Sequence, residues 1–94
     1  MHRSTVIVAG KLYLYGVSEF EAGDSKIEQC SYLGDVLRDM ARGLGQVDTL
    51  EGVRELEGLG GLEREGKTFK VNRDKIAEIY ESNIDDHPGA ERIV

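Results

Sequence analysis

The sequence predicts a single α+β domain, and three observations lead to this prediction. A segment rich in β-branched and aromatic residues opens the chain, segments with apolar residues every three or four positions follow it, and a short alternating stretch, GLEREGKTFKV, lies at residues 61–71. Spacings of three and four indicate amphipathic helices, and alternation indicates strands. We therefore expect helices packed on small sheets, with residues 1–83 as one compact domain and residues 84–94 as a flexible C-terminal tail.

Length and composition are those of a small soluble protein. The chain has 94 residues, of which 39% are hydrophobic and 32% are charged, so one core is expected and disorder is not. A lone cysteine cannot form an intramolecular disulfide, and the apolar run near the N-terminus is too short for a signal peptide or a membrane span. We expect a cytoplasmic protein that does not bind membranes.

The N-terminal segment STVIVAGKLYLYGVSEFE consists largely of strand-forming residues. Gly10 and Lys11 fit a two-residue turn, which predicts an additional N-terminal β-hairpin. A single strand with a glycine bulge at Gly10 is the alternative interpretation. The hairpin places Tyr13 and Tyr15 on one face, where they fit covering a core, packing in a homodimer contact or stacking on bases.

Two helices are predicted in the centre of the chain. Ser25 and Glu28 have the spacing of a capping box, and the helix that follows has an apolar stripe of Leu33, Val36, Leu37, Met40, Ala41 and Leu44. A break at Gly34, which divides this segment into a short helix and a longer one, is the alternative. The second helix is capped by Asp48 or Thr49 in this interpretation, and it ends before Gly60. Its predicted buried stripe is Leu50, Val53, Leu56 and Leu59.

The stretch at residues 61–71 predicts a second hairpin. A turn at residues 66–67 sets Leu62 opposite Val71, whereas a turn one residue earlier sets Leu62 opposite Phe69; we favour the first. Asn72 then fits the cap of a last helix, whose narrow apolar face is Ile76, Ile79 and Tyr80.

The order of helix, helix and two short strands from Leu33 to Val71, with VRELEGLGGLEREGKTFKV at its centre, resembles the winged helix-turn-helix family. In that family the second helix lies in the DNA major groove and the strand pair forms a wing that contacts the backbone. Where the family has a helix upstream, this chain has a β-rich segment. The resemblance implies a small DNA-binding regulatory protein with a winged-helix-like fold.

The resemblance also implies which residues contact duplex DNA. Thr49 and Arg54 would approach the groove, and the backbone contacts would come from Arg64, Lys67, Lys70 and Arg73. The same cations also fit an ordinary surface on which each pairs with a neighbouring acid.

The charge distribution supports a second interpretation. The chain has 18 acidic and 12 basic residues, a net charge of −6, and residues 46–60 alone have four acids and one arginine. Such a surface repels phosphates and fits a basic protein partner, as in an interaction module or inhibitor of the viral or mobile-element type. A salt-adapted cytoplasm would select the same acidic surplus. No nucleophile has a base at a recognisable spacing, so we do not expect an enzyme or a cofactor. We also expect no metal site, because one cysteine and two histidines are too few for structural zinc, and Asp85, Asp86 and His87 lie in the predicted tail.

Overall fold

The structure, a computed structural model, describes residues 1–21 and 44–86, and these residues form a mixed α and β domain. The helices and strands are α1 (Arg3–Leu14), β1 (Glu19–Glu21), α2 (Gln46–Gly58), β2 (Leu62–Glu65), β3 (Thr68–Val71), α3 (Arg73–Asn83) and a 3₁₀ helix (Ile84–Asp86). The three strands form one antiparallel sheet in the order β1-β3-β2. The predicted α+β class is confirmed. The predicted capping box at Ser25 and most of the helix that follows it lie outside the described residues.

The predicted N-terminal hairpin is wrong, because residues 3–14 form the helix α1. The eight residues from Thr5 to Leu12 are all buried, since α2 and α3 both pack on α1. A helix buried on several sides has no polar face, so its sequence lacks the period of an amphipathic helix. Tertiary packing thus overrides the strand preference of the β-branched residues here.

Gly10 is neither a turn nor a bulge. It lies inside α1, and a Cβ atom built at this position would be 2.6 Å from Cε1 of Tyr80. The glycine therefore lets the ring of Tyr80 approach the backbone of α1. Tyr13 is half-buried beside the same ring, with the ring centroids 6.0 Å apart, and Tyr15 is exposed beyond the end of the helix. The predicted hairpin face that would carry both tyrosines therefore does not exist.

A glycine also sets the crossing of α1 and α2. A Cβ atom at Gly52 would lie 2.9 Å from the carbonyl oxygen of Ser4, so the backbones of the two helices touch at this point. Apolar side chains from α1, α2, α3 and the sheet then close one core, with Ile7, Leu12, Leu56, Phe69 and Ile76 among its buried members.

Helix α2 is confirmed, but it starts earlier than predicted. Its N-cap is Gly45, with φ at 91°, and neither Asp48 nor Thr49 caps it. Leu50, Val53 and Leu56 are buried as expected, whereas Leu59 is 42% exposed. Leu59 is not part of the buried stripe because it is the C-cap residue, one position after the end of the helix at Gly58.

The reversal after α2 positions the second hairpin. Gly60, with φ at 85°, donates its N–H to Glu57, and Gly61 donates to Leu56 at 2.8 Å, the pattern of a Schellman motif. The predicted register is confirmed, because Leu62 pairs with Val71 across the turn at residues 66–67.

The last predicted helix is also confirmed. The Oδ1 atom of Asn72 accepts the N–H of Lys75 at 3.2 Å, and the apolar face of α3 is buried as expected. Of the predicted tail, residues 84–86 form a 3₁₀ helix in which Ile84 packs partly on the core, and residues 87–94 lie outside the described part. Across the described ranges, none of the helices has the length and apolar character needed to cross a bilayer.

Candidate nucleic-acid interface

Helix α2 presents a line of exposed residues on the side opposite the core. Val47, Glu51, Arg54 and Gly58 follow one another at intervals of four, three and four residues, and all are exposed, Val47 by 60%. Residues at these intervals lie along one line of a helix. We refer to these four residues as the outward ridge of α2. Within the described part of the chain, no ion pair involves Glu51 or Arg54.

Three residues separate the end of α2 from the hairpin of β2 and β3. Its base is tied to the end of α2, because the N–H of Asn72 donates to the carbonyl of Gly61 at 2.9 Å. Four residues per strand place the corner about 13 Å from this base. The corner holds Gly66, with φ at 61°, and the exposed Lys67.

Arg64 lies on the hairpin near the corner. Its Nε atom donates to the carbonyl of Gly66 at 3.2 Å, and its guanidinium carbon is 5.6 Å from the ring centroid of Phe69. Both contacts hold the aliphatic part of the side chain on the hairpin while the residue remains exposed. Arg64 and Lys67 both have further polar interactions, so neither is a bare surface charge.

Lys70 stands in the middle of an acidic sheet face. Its direct neighbours in the pairing register are Glu19 on β1 and Glu63 on β2, and its Nζ atom is 3.4 Å from Oε2 of Glu65. Both side chains of the ion pair are about half exposed, which limits its strength to roughly 1 kcal/mol or less. Any phosphate contact of Lys70 would therefore compete with Glu65.

The remaining predicted site residues fall in different places. Thr49 is fully buried, and its hydroxyl donates to the carbonyl of Gly45 at 3.0 Å, so the predicted groove contact of Thr49 is incompatible with this structure. Arg54 is exposed on the outward ridge as the resemblance required. Arg73 is exposed at the start of α3, where its Nη1 atom lies beside Gly16.

Sequence reasoning missed Val47, which is the first residue of the outward ridge. A signal was present, because Val47, Glu51 and Arg54 have helical spacing opposite the Leu50, Val53 and Leu56 stripe. The predicted cap at Asp48 or Thr49 left Val47 outside the helix, so the pattern was not recognised. Strand β1 was also missed, because its three residues are too few to show alternation.

The described residues hold no group of three His, Cys, Asp or Glu side chains arranged to bind a metal ion. Comparisons with protein-family models, with curated proteins and with solved structures each find no match for this chain.

Proposed function

We propose that this chain is a small DNA-binding regulatory protein of the winged-helix type. One observation carries the proposal. Helix α2 is followed by a hairpin, and the middle strand of the sheet, β3, pairs both with β2 of that hairpin and with β1, which precedes α2 in the sequence. Among the described residues the order is α1, β1, α2, β2, β3, which is consistent with a winged domain in which α1 occupies the place of the family's first helix.

The shape of α2 supports a groove-binding role. The thirteen residues of α2 make a helix about 20 Å long. The major groove of B-DNA is about 12 Å wide and accepts one α-helix. The outward ridge ends in Gly58, where no atom lies within 4 Å of a built Cβ, so the described residues leave this side of the helix open to a ligand.

The charges of the hairpin support backbone contacts. Residues 61–80 have five basic and four acidic side chains, an excess of one positive charge, while residues 46–60 have a net charge of −3. The cations Arg64 and Lys67 lie beside and at the corner, which is the end of the hairpin away from its base on α2. We infer that the hairpin supplies the electrostatic attraction and α2 the groove contacts.

The test replaces the hairpin lysines and measures the salt dependence of DNA binding. The double variant Lys67→Ala, Lys70→Ala should bind duplex DNA more weakly, and its slope of log K against log salt should be shallower by up to about 1.8, since each phosphate contact contributes about 0.9. Lys75→Ala, which removes one positive charge from α3 and none from the hairpin, is the control. An unchanged slope in the double variant would remove the hairpin from the interface.

A second function is favoured by a different observation, the acidic surface. Asp48, Glu51 and Glu57 are exposed on α2, and the outer sheet face has four glutamates around Lys70. This surface fits a basic protein partner. An interaction module of this kind would not shift duplex DNA even at about 50 mM salt, where electrostatic binding is strong. Reversing the exposed Glu51 and Glu57 to lysine should abolish its binding to the partner.

A further inference from the structure

The outward ridge of α2 combines side chains of three different chemistries at adjacent positions. Val47 is apolar, Glu51 only accepts hydrogen bonds when ionised, and Arg54 only donates them. Buried residues on the opposite side fix the orientation of the helix, so these three side chains stay exposed. Glu51 also lines an open pocket beside His2, Arg3 and Ser4 at the start of α1. In helix-turn-helix proteins the N-terminal part of the groove helix contacts base edges, and Val47 and Glu51 lie in that part of α2.

The chemistry of base edges limits what Glu51 can recognise in the major groove. Guanine presents two acceptors there and thymine an acceptor and a methyl group, so a carboxylate is repelled by both. Adenine has an N6 amino donor that can bond one carboxylate oxygen, but its N7 acceptor repels the other oxygen. Cytosine presents only the N4 amino donor. A carboxylate is therefore best satisfied by cytosine.

Arg54 lies where it can contact the base pair next to the one that Glu51 contacts. It lies three residues after Glu51, about 4.5 Å farther along the helix axis, which is close to the 3.4 Å rise of DNA per base pair. Arginine forms two parallel hydrogen bonds with guanine N7 and O6. Two neighbouring positions can therefore be read by two ridge residues of opposite chemistry.

We propose that the outward ridge reads cytosine through Glu51 and an adjacent guanine through Arg54, so that the preferred duplex contains neighbouring C·G pairs. This inference rests on the proposed function, and it names the DNA sequence class that α2 recognises. It also gives a physical role to the acidic residue at the centre of the ridge, since Glu51 lowers affinity for every duplex that does not place the N4 amino group of a cytosine opposite it.

The test is selection of bound sequences from a randomised duplex pool by the wild-type chain and by Glu51→Gln. Glutamine bonds both N6 and N7 of adenine, so the variant should exchange a cytosine preference for adenine at one position, with discrimination changing by about tenfold or more. Glu57→Gln is the matched control: it makes the same charge change on the same helix but lies off the ridge. Circular dichroism of all three chains checks that the helix is intact.

Each outcome separates the two proposals. A cytosine preference that Glu51→Gln converts and Glu57→Gln retains supports the inference. Bound pools without a cytosine preference, or a preference that Glu51→Gln leaves unchanged, overturn it while leaving DNA binding in place. Failure of the wild-type chain to bind any duplex overturns the proposed function itself.

Discussion

The contact between α1 and α2 at Gly52 makes a sharp stability prediction. A Cβ at Gly52 would meet the carbonyl oxygen of Ser4 at 2.9 Å and its carbonyl carbon at 3.0 Å, so Gly52→Ala must push apart two helix backbones. Overpacking of this kind costs about 1 to 3 kcal/mol. The better helix propensity of alanine offsets about 1 kcal/mol. We expect a net loss of up to about 2 kcal/mol in the free energy of unfolding.

Gly58 provides the matched control for this experiment. It lies on the same helix with nothing within 4 Å of a built Cβ, so Gly58→Ala should stabilise the protein by about 0.5 to 1 kcal/mol. Since 1 kcal/mol shifts Tm by about 4 to 8 °C in a domain of this size, thermal unfolding followed by circular dichroism resolves the two variants. If Gly52→Ala unfolds at the same temperature as Gly58→Ala or above it, the close helix crossing is wrong.

Three further predictions concern the cap, the core and the sheet. Asn72→Ala should lower the free energy of unfolding by about 0.5 to 2 kcal/mol, measured by urea denaturation, because the N–H of Lys75 loses its acceptor; an unchanged midpoint contradicts the cap. Leu56→Ala should cost about 2 to 5 kcal/mol in the same assay, since this side chain is fully buried, and a cost below about 1 kcal/mol would place it outside the core. Glu65→Gln should change stability by less than about 1 kcal/mol but raise DNA affinity at low salt, because Lys70 loses its carboxylate partner; weaker binding would show that Lys70 does not contact DNA.

The parts of the fold that were predictable are those with local signals. The register of the second hairpin followed from alternation and from the glycine at its corner, since Gly66 takes the positive φ, 61°, that the first position of a two-residue turn at residues 66–67 requires. Helix α3 followed from Asn72 and a single apolar face. In each case the local pattern and the tertiary environment agree, so the local pattern was sufficient.

The parts that were not predictable depend on long-range contacts. The burial of α1 on several sides removes its amphipathic period, and Gly10 is required by Tyr80, seventy residues later in the chain. Thr49 looked like a helix cap and a groove contact because its hydroxyl is suited to both. The start of α2 at Gln46 instead turns Thr49 toward the core, where it bonds the carbonyl of Gly45. The position of a candidate contact residue thus depended on a shift of three or four residues in a helix boundary.

The central claim is that α2 and the hairpin after it bind duplex DNA. Its most direct test is a fluorescence anisotropy titration of a labelled random-sequence duplex with the wild-type chain, at salt concentrations from about 50 to about 200 mM. We expect saturable binding that weakens as salt rises. The slope of log K against log salt should be no steeper than the three cations of the hairpin, Arg64, Lys67 and Lys70, can produce. A flat anisotropy signal at about 50 mM salt, with the protein folded, would contradict the claim and leave the basic protein partner as the better account.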